Sequence, residues 1–454
     1  MNSLENINRF YFIGIGGLGM SALARFFFSK GYEVAGYDKT PSDLTDQLEK
    51  EGIAVHFEDL GENIPQAYKN TKETLVVYTP AIPKEMGELV YVQQYHQVLK
   101  RSEVLGLVTQ ESLGLGVAGT HGKTTTSTLL THVMHQSSTK CSAFLGGISS
   151  NLNSNVLVDS SAKYTVIEAD EFDRSFLRLQ TFSSIITSVV QDHLDIYGKE
   201  EIFRDGFQEY ANKHEGKLLV TQVQVQLKNT GFKQLTYGIN LEADVKGENL
   251  QVQNGTFQMD VIFKNEKWLN VELGLPGIHN AENALAVITL TRELGLTEEE
   301  IRFGLKTFKG VKRRFEYHVR TEDLIYIDDY AHHPTEIHAL VSSVRLLYPN
   351  KKITGVFQPH LFSRTRDFLD GFVSELAQLD EAIIMPIYPA RELPIEGVTS
   401  EIIVNRIGSK ARILKPEEVV SYASEFSEGV FLTIGAGDID RIVPSLEKIF
   451  KSKS

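Results

Sequence analysis

Leu113-Gly114-Leu115-Gly116-Val117-Ala118-Gly119-Thr120-His121-Gly122-Lys123-Thr124-Thr125-Thr126 is the stretch on which the fold turns. Its first six residues are an apolar, strand-prone run, and Thr125 to His135 carry helical spacing. Between them, Gly119 to Thr124 form a turn at a helix N-terminus. There successive backbone N–H groups point outward and the helix dipole favours an anion. Lys123 supplies a compensating charge, and the Thr124 hydroxyl can reach Mg2+. The strict phosphate-loop spacing has glycine where Val117 stands, so this loop is a variant. It predicts binding of ATP or GTP phosphates.

Downstream, the strand pattern Tyr164 to Ile167 runs into Glu168-Ala169-Asp170-Glu171, and Ser184 to Val190 runs into Gln191-Asp192-His193. Ligands collect beyond the carboxyl ends of strands in a parallel α/β sheet. Glu168 and His193 are therefore candidate metal ligands near the phosphates; a solvated acidic turn and a hydrogen-bonded structural histidine are the plainer alternatives.

Upstream, the apolar run Arg9 to Ile13 precedes Gly14, Gly16 and Gly19, a helical pattern from Met20 to Lys30, and a second strand, Tyr32 to Tyr37, ending at Asp38. This is a βαβ unit carrying a nucleotide fingerprint, with an acid at the distance that suits a ribose hydroxyl. Alone it points to NAD or FAD, and a tight turn without ligand is the alternative.

Downstream again, Leu324 to Ile327 form a strand pattern that runs into Asp328-Asp329-Tyr330-Ala331-His332-His333-Pro334-Thr335-Glu336, with Pro334 placed to start a helix. Lys352 to Phe357 lead to Gln358-Pro359-His360 and a helix carrying Arg364 and Arg366; Ala382 to Ile387 and Val430 to Ile434 complete the alternation. Adjacent His332 and His333 cannot readily face one ion, and no cysteine lies nearby, which argues against structural zinc. Trp268 and the run Phe26 to Phe28 are assigned to core or surface, as is the acidic run Glu298 to Glu300.

The expected fold is α/β in three domains. Residues 1–105 form a Rossmann-like domain, 106–315 a P-loop ATPase-like central domain with a mainly parallel sheet, and 316–454 a second Rossmann-like domain. Its 46 Lys and Arg against 59 Asp and Glu give a net charge of −13, and the longest basic cluster, Lys312-Arg313-Arg314, is short, which argues against a nucleic-acid partner. No apolar stretch approaches the ~18 residues of a membrane helix. The start of the chain does not read as a signal peptide, and a single cysteine, Cys141, fits a reducing compartment, so a cytoplasmic location is expected. Monomer and dimer both remain open.

Eight ordered blocks resemble the Mur ligases of peptidoglycan synthesis over nearly the whole chain. They are Gly14-Ile15-Gly16-Gly17-Leu18-Gly19-Met20-Ser21, Gly119 to Thr126, Glu168 to Asp173, Asp192-His193-Leu194-Asp195, Gly277-Ile278-His279-Asn280 with Asn283, Arg313-Arg314-Phe315-Glu316, Asp329 to Glu336, and Phe357-Gln358-Pro359-His360 with Ser363-Arg364-Thr365. The resemblance implies a bacterial enzyme that uses ATP and Mg2+ to join L-alanine to the carboxylate of UDP-N-acetylmuramate through an acyl phosphate. It moves the first glycine turn from a dinucleotide to the UDP-sugar, with Gly14, Gly16, Gly17, Gly19, Met20 and Ser21 at its diphosphate and Asp38 near the uridine.

By the same resemblance Gly119, Thr120, His121, Gly122, Lys123, Thr124 and Thr125 hold ATP phosphates, and Thr124, Glu168 and His193 serve the metal. Asn283 meets adenine, while Arg314 and Asp329 meet the nucleotide phosphates and ribose. His332, His360 and Arg364 are candidates for the transferring phosphate and the alanine carboxylate. Leu361 stands where many relatives have arginine, which removes one proposed anion contact. A sister ligase that recycles muropeptides shares the architecture and is the alternative within enzymes. An oxidoreductase would leave Lys123 and Thr124 unexplained, and a UDP-sugar sensor would leave Lys123 and Glu168 without a task. Closure of the domains is expected, since reactants held on three domains must meet.

Overall fold

The computed structural model describes Leu4 and residues 6–110, 112–159, 161–189, 200–213, 216, 218–228, 231–253, 256–390 and 392–453. Strands β1 (Arg9–Ile13), β2 (Glu33–Tyr37), β3 (Ala54–His56), β4 (Thr74–Tyr78) and β5 (Gln97–Lys100) form one sheet in the order β3-β2-β1-β4-β5. All its pairs are parallel. Phe10, Tyr11, Phe12 and Ile13 are all fully buried, as a central parallel strand covered on both faces requires. The helix Leu18–Ser29 returns the chain from β1 to β2.

The second sheet contains β6 (Leu113–Ala118), β7 (Cys141–Ser149), β8 (Ser154–Leu157), β9 (Tyr164–Glu168), β10 (Ser183–Ile186), β11 (Leu218–Gln222), β12 (Lys233–Ile239), β13 (Val245–Gln253), β14 (Thr256–Ile262) and β15 (Lys267–Leu273). Its order is β15-β14-β13-β12-β11-β10-β6-β9-β7-β8. β6 pairs in parallel with β9 on one side and β10 on the other. The chain leaves β6 toward one side of the sheet and later returns on the other, so the crevice where ligands gather opens at the carboxyl end of β6.

The third sheet, β16 (Glu316–Arg320), β17 (Leu324–Asp329), β18 (Ile353–Phe357), β19 (Glu381–Ile384), β20 (Ala411–Ile413) and β21 (Gly429–Ile434), is ordered β16-β17-β21-β18-β19-β20. Only its edge strand β16 runs antiparallel among the pairs described. The helix Pro334–Leu347 begins at Pro334 as its sequence predicts, with His333 and Glu336 forming the cap.

The chain divides into two compact units: residues up to Glu248 with Asp260–Leu269 and Glu282–Phe308, and Asn249–Met259 with Asn270–Ala281 and Lys309–Ser454. Within the first, the β1–β5 domain and the central domain share one apolar core. Phe10, Leu23 and Phe27 belong to the same buried cluster as Phe144, Phe176, Phe203 and Leu219. The Phe26 and Phe144 rings lie 5.1 Å apart, and Asn155 Nδ2 donates to the Leu18 carbonyl at 2.5 Å.

Several local boundaries differ from expectation for identifiable reasons. The strand expected to reach Val190 ends at Ile186, because Thr187 turns inward to donate from Oγ1 to the His121 carbonyl at 2.5 Å. The helix after the phosphate loop starts at Lys123, since Gly122 (φ 82°) already completes the left-handed turn. Trp268 and Phe27 are buried, whereas Phe28 is exposed. Glu298 to Glu300 form the first turn of a helix capped reciprocally by Thr297 and Glu300. No helix among the described residues is long and apolar enough to cross a membrane.

Candidate active site

The phosphate loop is built by glycines in conformations that side chains disfavour. Gly119 has φ 136° and Gly122 φ 82°. A β-carbon at Gly119 would also meet the backbone nitrogen of Ser188 at 2.9 Å, so the loop lies directly on the end of β10. Thr120 N donates to the Ser188 carbonyl and His121 N to Ser188 Oγ, each at 3.0 Å. Asn283 stands at this loop too: its Oδ1 would be 2.7 Å from a β-carbon at Gly122. Thr120, Thr124 and Thr125 are buried and His121 is exposed.

Lys123 Nζ is already held. It donates to the Gly119 carbonyl at 2.8 Å and lies 2.7 Å from Glu171 Oε2. Glu171 is buried; desolvation pushes its carboxyl above the usual range, opposed by the Lys123 charge. Beside this pair, Thr124 Oγ1 donates to Glu168 Oε1 at 3.0 Å, Ser127 Oγ to Oε2 at 3.4 Å, and Gly146 N to Oε2 at 3.0 Å. A hydroxyl and a carboxylate, both hard oxygen donors, thus sit together at the N-terminus of the helix Lys123–Gln136, the donor set that Mg2+ takes. His193, the remaining metal candidate, lies outside the described residues.

At the first glycine turn, Gly14 (φ 90°) lets the chain reverse after β1. Asp38 reaches back into that turn, accepting from Gly16 N at 2.8 Å and from Thr40 N at 3.2 Å. Gly17 caps the helix Leu18–Ser29 without a side-chain bond. Met20 and Ser21 are buried; Ser21 Oγ donates to the Leu18 carbonyl and Ser21 N to the Gly17 carbonyl at 2.8 Å, so the first turn of the helix offers outward N–H groups only before Ser21. Arg101 lies over this turn: a β-carbon at Gly19 would be 2.5 Å from its Nη1.

The second unit holds the remaining candidates. Arg313 (φ 61°) and Phe315 (φ 49°) twist the backbone on either side of Arg314. Asp329 accepts from Phe315 N at 2.7 Å and Ala331 N at 2.8 Å, and burial raises its carboxyl to about 7. His332 Nδ1 lies 3.0 Å from the Tyr330 carbonyl, and Glu336 accepts from the backbone of both His332 and His333. The paired histidines are thus parts of a helix cap. His360 Nδ1 is 3.4 Å from Arg364 Nη1, and its ring stacks on Tyr388 and meets His332 edge-on at 6.2 Å. Burial, aided by the Arg364 charge, lowers His360 to about 4, leaving it neutral at pH 7. Ser363, beside Leu361 (φ 72°), donates from N to Glu392 Oε2 at 2.9 Å. Elsewhere in this unit Glu316, His318 and Asp328 lie close together, but Arg313 Nε already donates to Asp328 at 3.1 Å.

Sequence patterns did not reveal Gly146, Arg101 or Glu392, and they showed Glu171 only as the end of the block Glu168-Ala169-Asp170-Glu171, without a role. A glycine inside strand β7 was the available signal for Gly146, since such glycines mark close approach of another group.

Three family descriptions match in order: "Mur ligase family, catalytic domain" over residues 9–112, "Mur ligase middle domain" over 117–291, and "Mur ligase, glutamate ligase domain" over 313–439. UDP-N-acetylmuramate–L-alanine ligase of Phocaeicola vulgatus is 46% identical over 461 residues, covering 100% of both chains. The crystal structure of UDP-N-acetylmuramate-alanine ligase from Thermotoga maritima is similar with TM-score 0.85 at 28% identity, covering 98% of this chain and 100% of that one. A murein peptide ligase from Psychrobacter arcticus shares the fold at TM-score 0.67 and 22% identity, covering 97% of this chain and 98% of that one. With all three of the family's domains present in sequence and in structure, the chain belongs to the Mur ligase family.

Proposed function

We propose that this protein uses ATP to join L-alanine to the carboxylate of UDP-N-acetylmuramate, a step of bacterial peptidoglycan precursor synthesis. The observation that carries the proposal is the full-length 46% identity to an L-alanine-adding ligase, in a chain whose phosphate loop keeps Lys123 and sets Thr124 against Glu168. In the reaction a muramate carboxylate oxygen attacks the γ-phosphorus of ATP, and ADP leaves. The alanine amine then attacks the acyl carbon; the tetrahedral adduct expels inorganic phosphate and loses a proton to give the amide.

The chain's residues would divide this work. Backbone N–H groups from Gly122 to Thr125 would receive the phosphates, those of Thr120 and His121 being taken by Ser188, and Lys123 would balance charge that grows in transfer. Thr124 and Glu168 would hold Mg2+, which when bound neutralises phosphate oxygens. Asn283, beside Gly122, would face the nucleotide. The helix end from Gly17 to Met20, which no side chain caps, suits the sugar diphosphate. In the second unit, Arg314 and Asp329 would serve nucleotide phosphate and ribose, and Arg364 with His332 and His360 the transferred phosphate or the alanine carboxylate. The substrates and the buried single cysteine fit the bacterial cytoplasm.

Phosphate release with ATP, Mg2+ and UDP-N-acetylmuramate, measured across a panel of free amino acids and a tripeptide, tests the proposal. L-alanine should give the fastest release. Turnover with the tripeptide alone would transfer the protein to the muropeptide-recycling branch, and none with any amine would end the ligase assignment.

A further inference from the structure

Glu171 has no part in the functions described so far, yet its side chain is only 1% exposed and grips the phosphate-loop lysine. An ammonium group has three N–H donors. On Lys123 one meets Glu171, 2.9 Å from Oε1 and 2.7 Å from Oε2, and one meets the Gly119 carbonyl at 2.8 Å. The third has only the Thr120 carbonyl at 3.4 Å, a long and weak contact. We propose that Glu171 is a positioning residue: with the Gly119 carbonyl it fixes two donors of Lys123, so that the third is aimed at the transferring phosphate.

The buried setting decides between this and a latch that lets go. Were Lys123 to swing away onto ATP, the buried Glu171 carboxylate would lose a 2.7 Å ion pair, which is unfavourable. Turning one weakly held donor from Thr120 to a phosphate oxygen disturbs neither strong contact. Lys123 therefore keeps its grip on Glu171 while it works, and Glu171 acts through the lysine without touching substrate.

The inference rests on the ligase assignment, and a double-mutant cycle in the full-length protein separates the two. In Glu171→Gln, which keeps the shape and one acceptor but not the charge, kcat should fall roughly tenfold to a hundredfold, as for a misplaced catalytic group. KM for ATP should stay within about threefold and UDP-sugar affinity should be unchanged. Glu171→Asp, which retains the charge on a shorter arm, should recover part of the loss. In a Lys123→Ala background, Glu171→Gln should lower residual turnover no further and should raise the melting temperature, because it removes a buried carboxylate that has lost the Lys123 ammonium. Equal kcat losses in the two backgrounds would assign Glu171 a structural role unrelated to the lysine. A Glu171→Gln enzyme with wild-type kcat, or with tighter ATP binding, would also overturn the inference. Wild-type protein that released no phosphate with any amine would instead defeat the ligase assignment. If Glu171→Gln fails to accumulate, melting of Lys123→Ala against Lys123→Ala/Glu171→Gln decides alone, and no gain in the double variant refutes the pairing.

Discussion

Replacing Gly146 by alanine should displace the Glu168 carboxylate, which we propose holds Mg2+, while leaving the rest of the protein intact. The backbone at Gly146 tolerates a side chain, but the new β-carbon would lie 2.5 Å from Glu168 Cδ. Ordinary contact begins near 3.4 Å, so the carboxylate must retreat by about 1 Å. That shift stretches its contacts to Thr124 Oγ1, now 3.0 Å, and Ser127 Oγ, now 3.4 Å, and lengthens its bond from Gly146 N. Disturbing the surroundings of a metal ligand typically weakens metal affinity roughly tenfold to a hundredfold. The Mg2+ concentration giving half-maximal phosphate release should rise by that factor. Thermal stability should change by only about 1–2 kcal/mol, since a flexible side chain can yield. Titration calorimetry with UDP-N-acetylmuramate should show unaltered affinity, because the three atoms nearest the new β-carbon all belong to Glu168. A Gly146→Ala enzyme with the wild-type Mg2+ curve would refute the reasoning, since Glu168 could then not be the carboxylate that holds the ion.

Lys123→Ala should lower kcat by about two to three orders of magnitude, the scale for one preorganised charge-stabilising donor, with UDP-sugar binding nearly intact in calorimetry. Equal loss of both would mean that the phosphate loop and the first glycine turn are not separate sites. Arg101→Ala should weaken UDP-sugar binding by about tenfold, consistent with losing one charge-assisted hydrogen bond, and should reduce its salt dependence; unchanged affinity at low salt would remove Arg101 from the site. Glu300 is held down to about 2 by N–H donation from Ser138 and Thr297. A carboxyl depressed on folding stabilises above its unfolded value of 4.5 and loses that contribution as pH falls toward 2. Because the group is largely solvated, Glu300→Ala should lose only about 1 kcal/mol in urea unfolding at pH 7, and a gap that fails to shrink between pH 4.5 and 2 would contradict this origin.

The phosphate loop and the alternation of strands and helices were legible because their signals are local. A strand of apolar residues, a glycine turn and a helix follow one another within Leu113 to Gln136, and nothing distant is needed to specify them. Glu168 was legible for the same reason, as the residue that closes strand β9. The groups around it were not. Gly146 matters because β7 lies beside β9 in the sheet, and Glu171 matters because the chain after β9 folds back over Lys123; neither proximity leaves a trace in spacing. The histidine pair was legible only as a suspicion. His333 and Glu336 carry a helix cap, a role that the Pro334 signal implied once His333 is recognised as the residue before it.

The apolar core common to the first two sheets bears on how the polypeptide acquires its structure. Phe26 against Phe144 and Leu18 tied to Asn155 close one face of the first sheet, whereas Tyr11, Ile13, Tyr68 and Leu89 fill the other face from within the N-terminal segment. The two sheets should therefore melt in one cooperative transition, and a chain truncated near residue 105 should yield fragments that aggregate. During synthesis, β7 and β8 must emerge before that face of the first sheet is covered. The same seam ties the helix after the first glycine turn to the sheet that carries the phosphate loop, so a small molecule wedged between Phe26 and Phe144 should lower activity while competing with neither proposed substrate.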